Sequence, residues 1–148
     1  MSTPFQRLRE RFINLYPPFL GAGIRARTID KHTVRVEMKL TFLNRNIVGT
    51  HFGGSLYAMC DPWFMLILMR LLSTDYIVWD KAASIQFLRP GRGTVTATFH
   101  IPQERVDEIR QAADSGKKIE PAFTVDVLDE QGETVAHVEK LLYVRKEK

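Results

Sequence analysis

Cysteine is almost missing from this sequence: Cys60 is the only one in 148 residues, so no disulfide can form within the chain. Small domains that depend on disulfides carry several cysteines, and a single thiol is typical of proteins from a reducing compartment. The N-terminal stretch MSTPFQRLRERF also lacks the long apolar core of a secretory signal. The two absences predict a cytoplasmic protein.

A strong charge bias is missing as well. Lys and Arg number 21 against 17 for Asp and Glu, and the net charge of +4 is spread along the chain without a dense basic tract. This balance argues against nucleic-acid binding but suits an anionic ligand. The four histidines have no metal-ligand spacing, and the chain has neither a phosphate-binding glycine loop nor a serine nucleophile motif. We therefore expect no metal, no bound cofactor and no nucleic-acid partner.

No hydrophobic run is long enough to suggest a membrane span. Within the oily segment 50–69, the uninterrupted apolar run covers residues 62–69 and is bounded by Asp61 and Arg70. A transmembrane helix needs about 20 apolar residues. The segment is apolar nearly all the way round, which predicts a helix in the core of the protein and no membrane partner.

Low-complexity segments, internal repeats and linkers are absent too, so residues 1–148 are interpreted as one domain. An amphipathic helix is predicted at about 3–15, because Phe5, Leu8 and Phe12 share one face. The Tyr-Pro-Pro sequence at 16–18 then breaks the chain, and glycines 21 and 23 predict irregular structure. Patterns further along predict helices at about 54–72 and 104–115, and strands at 24–30, 33–42, 76–88, 94–101, 121–128 and 134–144.

Two-residue periodicity is the clearest pattern in the strands. In residues 33–42, Val34, Val36, Met38, Leu40 and Phe42 alternate with polar or charged residues, which indicates one buried and one solvated face. Long strands with short connections favour an antiparallel sheet, and the apolar helix at 54–72 suits the inside of a curled one. The predicted fold class is α+β, with a curled, mainly antiparallel sheet wrapped around one long central helix.

A motif precedes and enters that central helix. Its residues are Asn46, Gly49, Gly53, Gly54 and Asp61, with the acid seven residues after the second glycine. With the strand order, this motif resembles the hotdog-fold superfamily, and most closely its phenylacetyl-CoA-thioesterase-like acyl-CoA thioesterases. The segment FLRPGRGTVTATF at 87–99 is similar to the strand–turn–strand that follows the helix in these enzymes. The family usually has histidine directly before Gly-Gly. Here Phe52 stands there and His51 lies one position earlier, which indicates a less-characterised branch.

The resemblance implies hydrolysis of a fatty or aromatic acyl thioester, with coenzyme A as part of the substrate and no other cofactor. Sites of this fold lie between two subunits, which implies a homodimer, and a tetramer made of two dimers is common. Asp61 would act as the base that activates water or as the nucleophile. The backbone amide of Gly53 or Gly54 would polarise the carbonyl.

The physical chemistry of a helix start fits the glycine role. The first amides lack carbonyl partners and carry partial positive charge, and glycine lets a substrate approach the backbone. One donor to an oxyanion contributes about 2.7–4 kcal/mol. Asp61 lies two helical turns on, roughly 10 Å along the axis. One carbonyl therefore cannot touch both groups on the same subunit, a difficulty that the family's intersubunit site resolves.

Asp61 also has a structural explanation. Asp followed by Pro is a favourable N-cap and N1 pair, so Asp61 could cap a second helix that begins at Pro62. Within a continuous helix, Pro62 would instead free the Ala58 carbonyl and kink the chain beside the carboxylate. The sequence leaves both arrangements open.

Other side chains near the motif are candidates with equally ordinary alternatives. The further catalytic candidates are Asn46 and His51, and the substrate-binding candidates are Ser55, Tyr57, Phe64, Met65, Arg89 and Arg92. Loop hydrogen bonding, core packing and solvated turn charges explain such residues as well. The two arginines flank a turn and could bind the phosphates of coenzyme A.

Two other functions are compatible with the same fold. A hotdog dehydratase or hydratase pairs a loop histidine with a helix acid, at a longer spacing than the ten residues between His51 and Asp61. A non-catalytic hotdog protein would bind acyl-CoA or lipid without hydrolysing it.

Overall fold

The computed structural model describes residues 12–147, which contain six antiparallel strands in one sheet. The elements are α1 Pro17–Ala22, β1 Ile24–Asp30, β2 Thr33–Lys39, α2 Gly53–Ala58, α3 Trp63–Leu72, β3 Tyr76–Phe87, β4 Thr94–His100, α4 Gln103–Asp114, β5 Ala122–Leu128 and β6 Thr134–Lys146. Residues 12–14 are helical. The rest of the helix predicted at 3–15 lies outside the described residues.

The strands are ordered β1-β2-β4-β5-β6-β3 across the sheet, and each neighbouring pair is antiparallel. The sheet curls around the central helix, so β1 and β3 are its two edges. The predicted α+β architecture and its order of elements are confirmed. Strand β3, twelve residues long, pairs only with β6 among the described strands.

The segment after the two prolines is helical, so the expectation of irregular structure there is wrong. Helix α1 begins at Pro17, where a missing N–H costs nothing because first-turn amides have no helical partner. The helix ends at Gly23, whose φ of 74° is the left-handed conformation typical of a C-terminal cap. Phe19 is buried and packs on Trp63, with ring centroids 5.7 Å apart. The helical segment at 12–14 ends before the prolines, as predicted, but the prolines then begin a new helix.

The alternation of β2 ends sooner than its sequence pattern suggests. The strand stops at Lys39, and Phe42, expected on the buried face, is 78% exposed. The buried Asn44 side chain turns the chain here, because its amide donates to the carbonyl oxygens of Lys39 and Ala22. Its own oxygen accepts the Thr41 N–H at 2.8 Å. One asparagine thus ends the strand and ties it to α1.

The predicted central helix is present as two segments with a break at residues 59–62. Pro62 has no N–H to continue the helical series, and the chain tightens so that the Asp61 N–H meets the Ala58 carbonyl at 3.4 Å. The Met59 carbonyl accepts the indole N–H of Trp63 at 2.7 Å. The break places Asp61 between the two segments.

Helix α3 is anchored in the core by aromatic side chains. Phe99 of β4 is fully buried and lies against Trp63 and Phe64, at centroid distances of 6.4 and 5.1 Å. Phe64 also stacks on Phe123 of β5 at 5.0 Å. This packing fixes the position of the helix that begins directly after the break.

Within residues 12–147, the stretch Gly53–Leu72 is long and apolar enough by length and composition to cross a membrane, with a mean hydropathy of 1.3. The core helix of a globular domain has the same composition. Five side chains of α3 are buried against the rest of the protein, which identifies the stretch as a core helix.

Truncation of Phe99 tests the aromatic anchor. We expect Phe99→Ala to lower the free energy of unfolding by about 3–5 kcal/mol, because it leaves a cavity between α3 and the sheet. Urea denaturation followed by circular dichroism measures the change. The matched control, Phe42→Ala, removes an exposed phenylalanine and should cost about 0.5 kcal/mol or less. Equal costs for the two variants would contradict this account of the core.

Candidate active site

The Asp61 carboxylate lies at the surface of an apolar cleft. Its side chain is 51% exposed although it sits in the most hydrophobic part of the chain. A cleft of about 750 Å³ is lined by Asp61, Pro62 and residues of the N-terminal segment, namely Phe12, Ile13, Leu15, Tyr16 and Phe19. The helix break thus presents one acid to a cavity whose other walls are almost entirely apolar or aromatic.

Asp61 belongs to a cluster of four polar side chains. The Tyr57 hydroxyl donates to Asp61 Oδ1 at 2.7 Å, and Lys140 Nζ lies 3.5 Å from the same oxygen. Lys140 also donates to the Tyr57 hydroxyl oxygen at 3.1 Å and lies 3.0 Å from Asp80 Oδ1. Tyr57 comes from α2, Lys140 from β6 and Asp80 from β3. The cluster therefore connects the helix break to the β3 edge of the sheet.

Burial sets the electrostatics of the cluster. It raises the pKa of Asp80 above its ordinary value, although the Lys140 charge acts in the opposite direction. Burial alone would lower the pKa of Lys140, but its hydrogen bond to Tyr57 and the Asp80 carboxylate outweigh this, and the pKa is raised. The pKa of Tyr57 is raised by burial and by its bond to Asp61. Lys140 is therefore a cation and Tyr57 a neutral donor at neutral pH.

Asp61 does not cap the second helix. Helix α3 has Pro62 at its N-cap, and no side chain hydrogen-bonds to its first amides. The carboxylate is engaged by Tyr57 and Lys140 instead. The structure therefore shows neither of the two arrangements that the sequence left open. A second helix begins at Trp63 without an Asp61 cap, and the Ala58 carbonyl accepts the Asp61 N–H.

Gly53 and Gly54 begin α2, directly after the loop. A Cβ on Gly54 would lie 2.5 Å from the Phe52 ring, and one on Gly53 would lie 3.0 Å from the Phe87 ring. Phe52 and Phe87 are both more than half exposed. Neither glycine N–H is bonded within residues 12–147. Two unpaired amides therefore lie beneath two exposed phenylalanine rings, one of which belongs to edge strand β3.

His51 and Asn46 are engaged in holding the loop that leads to these glycines. The His51 ring is buried and its Nε2 bonds the Gly93 carbonyl at 2.8 Å. The Asn46 side chain accepts the Thr50 N–H at 3.0 Å and donates to the Thr50 hydroxyl at 2.9 Å. Burial lowers the pKa of His51, so its ring is neutral at neutral pH. Both side chains act structurally in this arrangement.

The remaining candidates are dispersed. Phe64, expected to line a pocket, is a core residue at 2% exposure, whereas Met65 and Ser55 are partly buried. Arg89 pairs with Glu133 at 2.9 Å. Arg92 is exposed and forms no ion pair with the described residues. The structure thus brings only Tyr57 into direct contact with Asp61.

Cys60 adjoins Asp61 in sequence but is fully buried. Burial raises the pKa of its thiol to about 12, so it is protonated and unreactive at neutral pH. Residues 12–147 also contain no group of three or more His, Cys, Asp or Glu side chains arranged to hold a metal ion.

Lys140, Asp80 and Asn44 were not singled out from the sequence. Lys140 carried a signal: it is in phase with the buried, apolar positions of β6. A lysine at a core-facing strand position needs a partner, and this alone could have directed attention to it. Asp80 and Asn44 had no comparable signal, since their partners are distant in sequence.

Comparisons with known proteins agree with the architecture. The family described as "Domain of unknown function (DUF4442)" matches residues 6–144. No curated protein sequence is significantly similar to the chain. A Pseudomonas aeruginosa protein of unknown function, described as a probable thioesterase, superposes with a TM-score of 0.87 at 22% identity, covering 99% of both chains.

Two further structures are similar over most of their length. A thioesterase from Haemophilus influenzae has a TM-score of 0.70 at 15% identity, covering 99% of this chain and 92% of its own. The PaaI protein of the phenylacetic acid degradation operon of E. coli has a TM-score of 0.65 at 20% identity, covering 99% and 97%. At these identities the likeness shows a shared fold and not a shared activity.

The buried His51 ring predicts a pH dependence of stability. Because its pKa is lowered from the ordinary 6.5, the unfolded chain takes up a proton first as the pH falls through that value, and the folded state loses stability there. His51→Gln keeps an N–H for the Gly93 carbonyl but cannot titrate. Between about pH 7.5 and pH 5.5, urea denaturation should show a steeper loss of unfolding free energy for the parent than for this variant. Parallel curves would show that His51 is not held neutral.

Proposed function

The chain belongs to the DUF4442 family and has the hotdog fold, and from this premise we propose that it is a thioesterase that hydrolyses acyl-CoA. The observation that carries the proposal is the half-exposed Asp61 carboxylate at an apolar cleft. A structural acid in this segment would be buried and bonded to nearby main chain. This one is open to the cavity, and its described partners are the side chains of Tyr57 and Lys140.

The geometry of the carboxylate supports both routes to hydrolysis. Within residues 12–147, Oδ1 accepts the Tyr57 hydroxyl and Oδ2 accepts no hydrogen bond. As a base, Oδ2 removes a proton from water while the water oxygen bonds to the carbonyl carbon. The C–S bond then breaks and the proton passes to the leaving thiolate. As a nucleophile, Oδ2 bonds to the carbonyl carbon while the C–S bond breaks and the thiolate leaves. Water then cleaves the mixed anhydride, which returns the Asp61 carboxylate, releases the acid and supplies the proton that the thiolate takes up.

The acyl group occupies the cleft beside Asp61 in this proposal. Aromatic and aliphatic walls from Phe12 to Phe19 suit a fatty or aromatic acyl chain better than a polar one. The cleft volume of about 750 Å³ is large enough for a sizeable acyl group.

Coenzyme A binds in this proposal near the turn that carries Arg89 and Arg92. This turn is joined to the loop before α2, because the His51 N–H bonds the Gly91 carbonyl at 3.0 Å and its ring bonds Gly93. Both arginines therefore lie on the side of the domain where the unpaired glycine amides begin α2. Their positive charge suits the phosphates of the cofactor portion of the substrate.

The oxyanion donor is the Gly53 or Gly54 amide of a second copy of the chain. Asp61 and these amides flank α2 on one subunit, so a single carbonyl cannot meet both. The edge position of β3 supports pairing of two copies, since its outer N–H and C=O groups have no partner strand within residues 12–147. The active species is a homodimer, and two such dimers can form a tetramer.

Replacement of the acid tests the catalytic assignment. Asp61→Asn keeps the size of the side chain but removes the base, and we expect hydrolysis to fall by at least about 100-fold. Release of free thiol from a panel of acyl-CoA chain lengths measures the rate. The matched control, Asp75→Asn, removes an exposed acid outside the cleft and should leave the rate unchanged. Full activity of Asp61→Asn on every acyl-CoA that the parent hydrolyses would exclude the assignment. Tight binding without turnover by the parent would favour a non-catalytic acyl-CoA-binding protein.

Charges on the β3 edge test the dimer. Lysine on an edge strand opposes edge-to-edge pairing, so Ala83→Lys/Ser84→Lys should convert the dimer to a monomer and abolish activity. Analytical ultracentrifugation gives the mass. Adding the same two charges elsewhere on the surface, as Gln111→Lys/Thr124→Lys, should change neither mass nor activity. An active monomer would show that the site is complete within one subunit.

A further inference from the structure

Lys140 occupies an unusual position in β6. The strand alternates between a buried and a more open face, and Lys140 stands in the buried row with Ala136, Val138, Leu142 and Val144. Lys140 is only 2% exposed, so it is as buried as the four other side chains of this row, but those four are apolar. An ammonium at such a position is strongly unfavourable unless it is paired and hydrogen-bonded.

The partners of Lys140 define a directed chain of hydrogen bonds. An ammonium group can only donate, so the Tyr57 oxygen, 3.1 Å away, must accept from it. With its oxygen occupied in this way, the Tyr57 hydroxyl hydrogen points to Asp61 Oδ1 at 2.7 Å. Lys140 itself lies 3.5 Å from that oxygen. Both groups therefore hold the same carboxylate oxygen.

The consequence for Asp61 is an asymmetric carboxylate. Oδ1 is fixed by Tyr57 and attracted by Lys140, whereas Oδ2 accepts no hydrogen bond from residues 12–147. The side chain is 51% exposed, so without this hold it could rotate freely at the cleft. Fixing one oxygen turns the other in a defined direction.

Asp80 holds Lys140 from the other side. It pairs across the sheet with Leu142, which places it diagonally next to Lys140 on the core face. The β3 register shifts between Asp80 and Ala82, a bulge beside this pair. Bulges commonly redirect a side chain near a functional site. The Asp80 carboxylate lies 3.0 Å from Lys140 Nζ and keeps the ammonium within reach of Tyr57.

We propose that Lys140, held by Asp80, is a positioning residue for the proposed hydrolysis: acting directly and through Tyr57, it fixes Asp61 Oδ1 so that Oδ2 faces the acyl thioester. This inference rests on the proposed function and adds three residues to it, Lys140, Asp80 and Tyr57. None of the three needs to touch the substrate.

A purely structural role explains the cluster less well. Buried ion pairs contribute little net stability, and apolar replacements of similar volume are often neutral or stabilising. A pair that only filled the core would also need no connection to a half-exposed acid at a cleft. The connection through Tyr57 ends at Asp61, where the proposed chemistry occurs.

The decisive variant replaces both charges of the pair, because Lys140→Met alone would leave Asp80 buried without its cation. In Asp80→Asn/Lys140→Met, the fold should melt at the temperature of the parent. Its kcat should nevertheless be about 100-fold lower, with little change in KM, because the carboxylate is no longer oriented. Lys140→Arg, made in the parent, keeps the positive charge. Its kcat should therefore lie between those of the double variant and the parent. Lys117→Met, which removes an exposed lysine after α4 and away from the β3 edge, is the matched control and should leave kcat unchanged.

Tyr57→Phe provides a second route that keeps the buried charges. It removes the hydroxyl through which Lys140 acts, so kcat should fall here too. Combined with the double change, the two losses should be less than multiplicative. A folded Asp80→Asn/Lys140→Met protein with kcat within threefold of the parent would reduce the pair to packing and overturn the proposal, while Asp61→Asn would still report on the hydrolysis itself. Fully multiplicative losses of kcat in the combined variant would also overturn the proposal, because Tyr57 and the Asp80–Lys140 pair would then act independently.

Crystal structures make the inference testable even if no acyl-CoA is hydrolysed. In Asp80→Asn/Lys140→Met, Asp61 should leave its contact with Tyr57 or become disordered, and in Lys140→Arg it should stay. An Asp61 side chain in the same place in parent and double variant would overturn the positioning role. The absence of turnover in the parent would overturn the proposed hydrolysis and, with it, any role for the cluster in catalysis.

Discussion

The arrangement of this protein depends on one missing N–H group, that of Pro62. Because the helical series cannot pass through it, the central helix is interrupted at 59–62, and Asp61 leaves the apolar interior at that point. The Met59 carbonyl is not left unpaired, since the Trp63 indole donates to it within the core. The same tryptophan packs on Phe19 and Phe99, so the aromatic core fixes the position of the break. The N–H groups of Met59, Cys60 and Asp61 also find carbonyl partners, so the break is a stable feature on which a functional side chain can be placed.

Buried charge is the second constraint, and it follows from the first. Once Asp61 stands at the break, Tyr57 one turn earlier on α2 faces it, and the Lys140 ammonium reaches both from β6. One ammonium lies among two carboxylates, Asp61 and Asp80, with the exposed member of the cluster at the cleft. The energetic reason is that a cation costs least in the core where its partners are close and fixed. The cluster thereby links the helix break to β3, the edge at which a second copy of the chain would pair in the proposed dimer.

Much of the fold was readable from periodicity, and its exceptions have local causes. Alternation in β2 predicts its buried face, and the nearly continuous apolar sequence of 54–72 predicts a core helix. Tyr-Pro-Pro misled because proline disrupts a helix interior but begins a helix readily, as it does in α1. The alternating pattern continues through Phe42, but the strand ends earlier because the Asn44 side chain bonds three main-chain groups: those of Lys39 and Thr41 nearby and that of Ala22 in α1. Asp61 was found through its spacing from Gly54. Lys140 was missed because a charged residue in a strand is usually assigned to the solvent-exposed face. Its position, two residues from Val138 and from Leu142, places it on the buried face of β6.

The geometry of α2 also explains why one chain would not suffice for the proposed chemistry. The amides of Gly53 and Gly54, unpaired within residues 12–147, lie in its first turn, and Asp61 lies beyond its last residue. The helix itself therefore separates the two groups that a thioester carbonyl needs. A rigid α2 keeps the two groups apart, since they are fixed at its opposite ends. In the proposed dimer, a second α2 running past the first sets a glycine amide opposite Asp61. The exposed Phe52 and Phe87 rings lie over the glycines, next to strand β3. Apolar surface and free main-chain groups thus coincide on the side of the domain from which such a partner would approach.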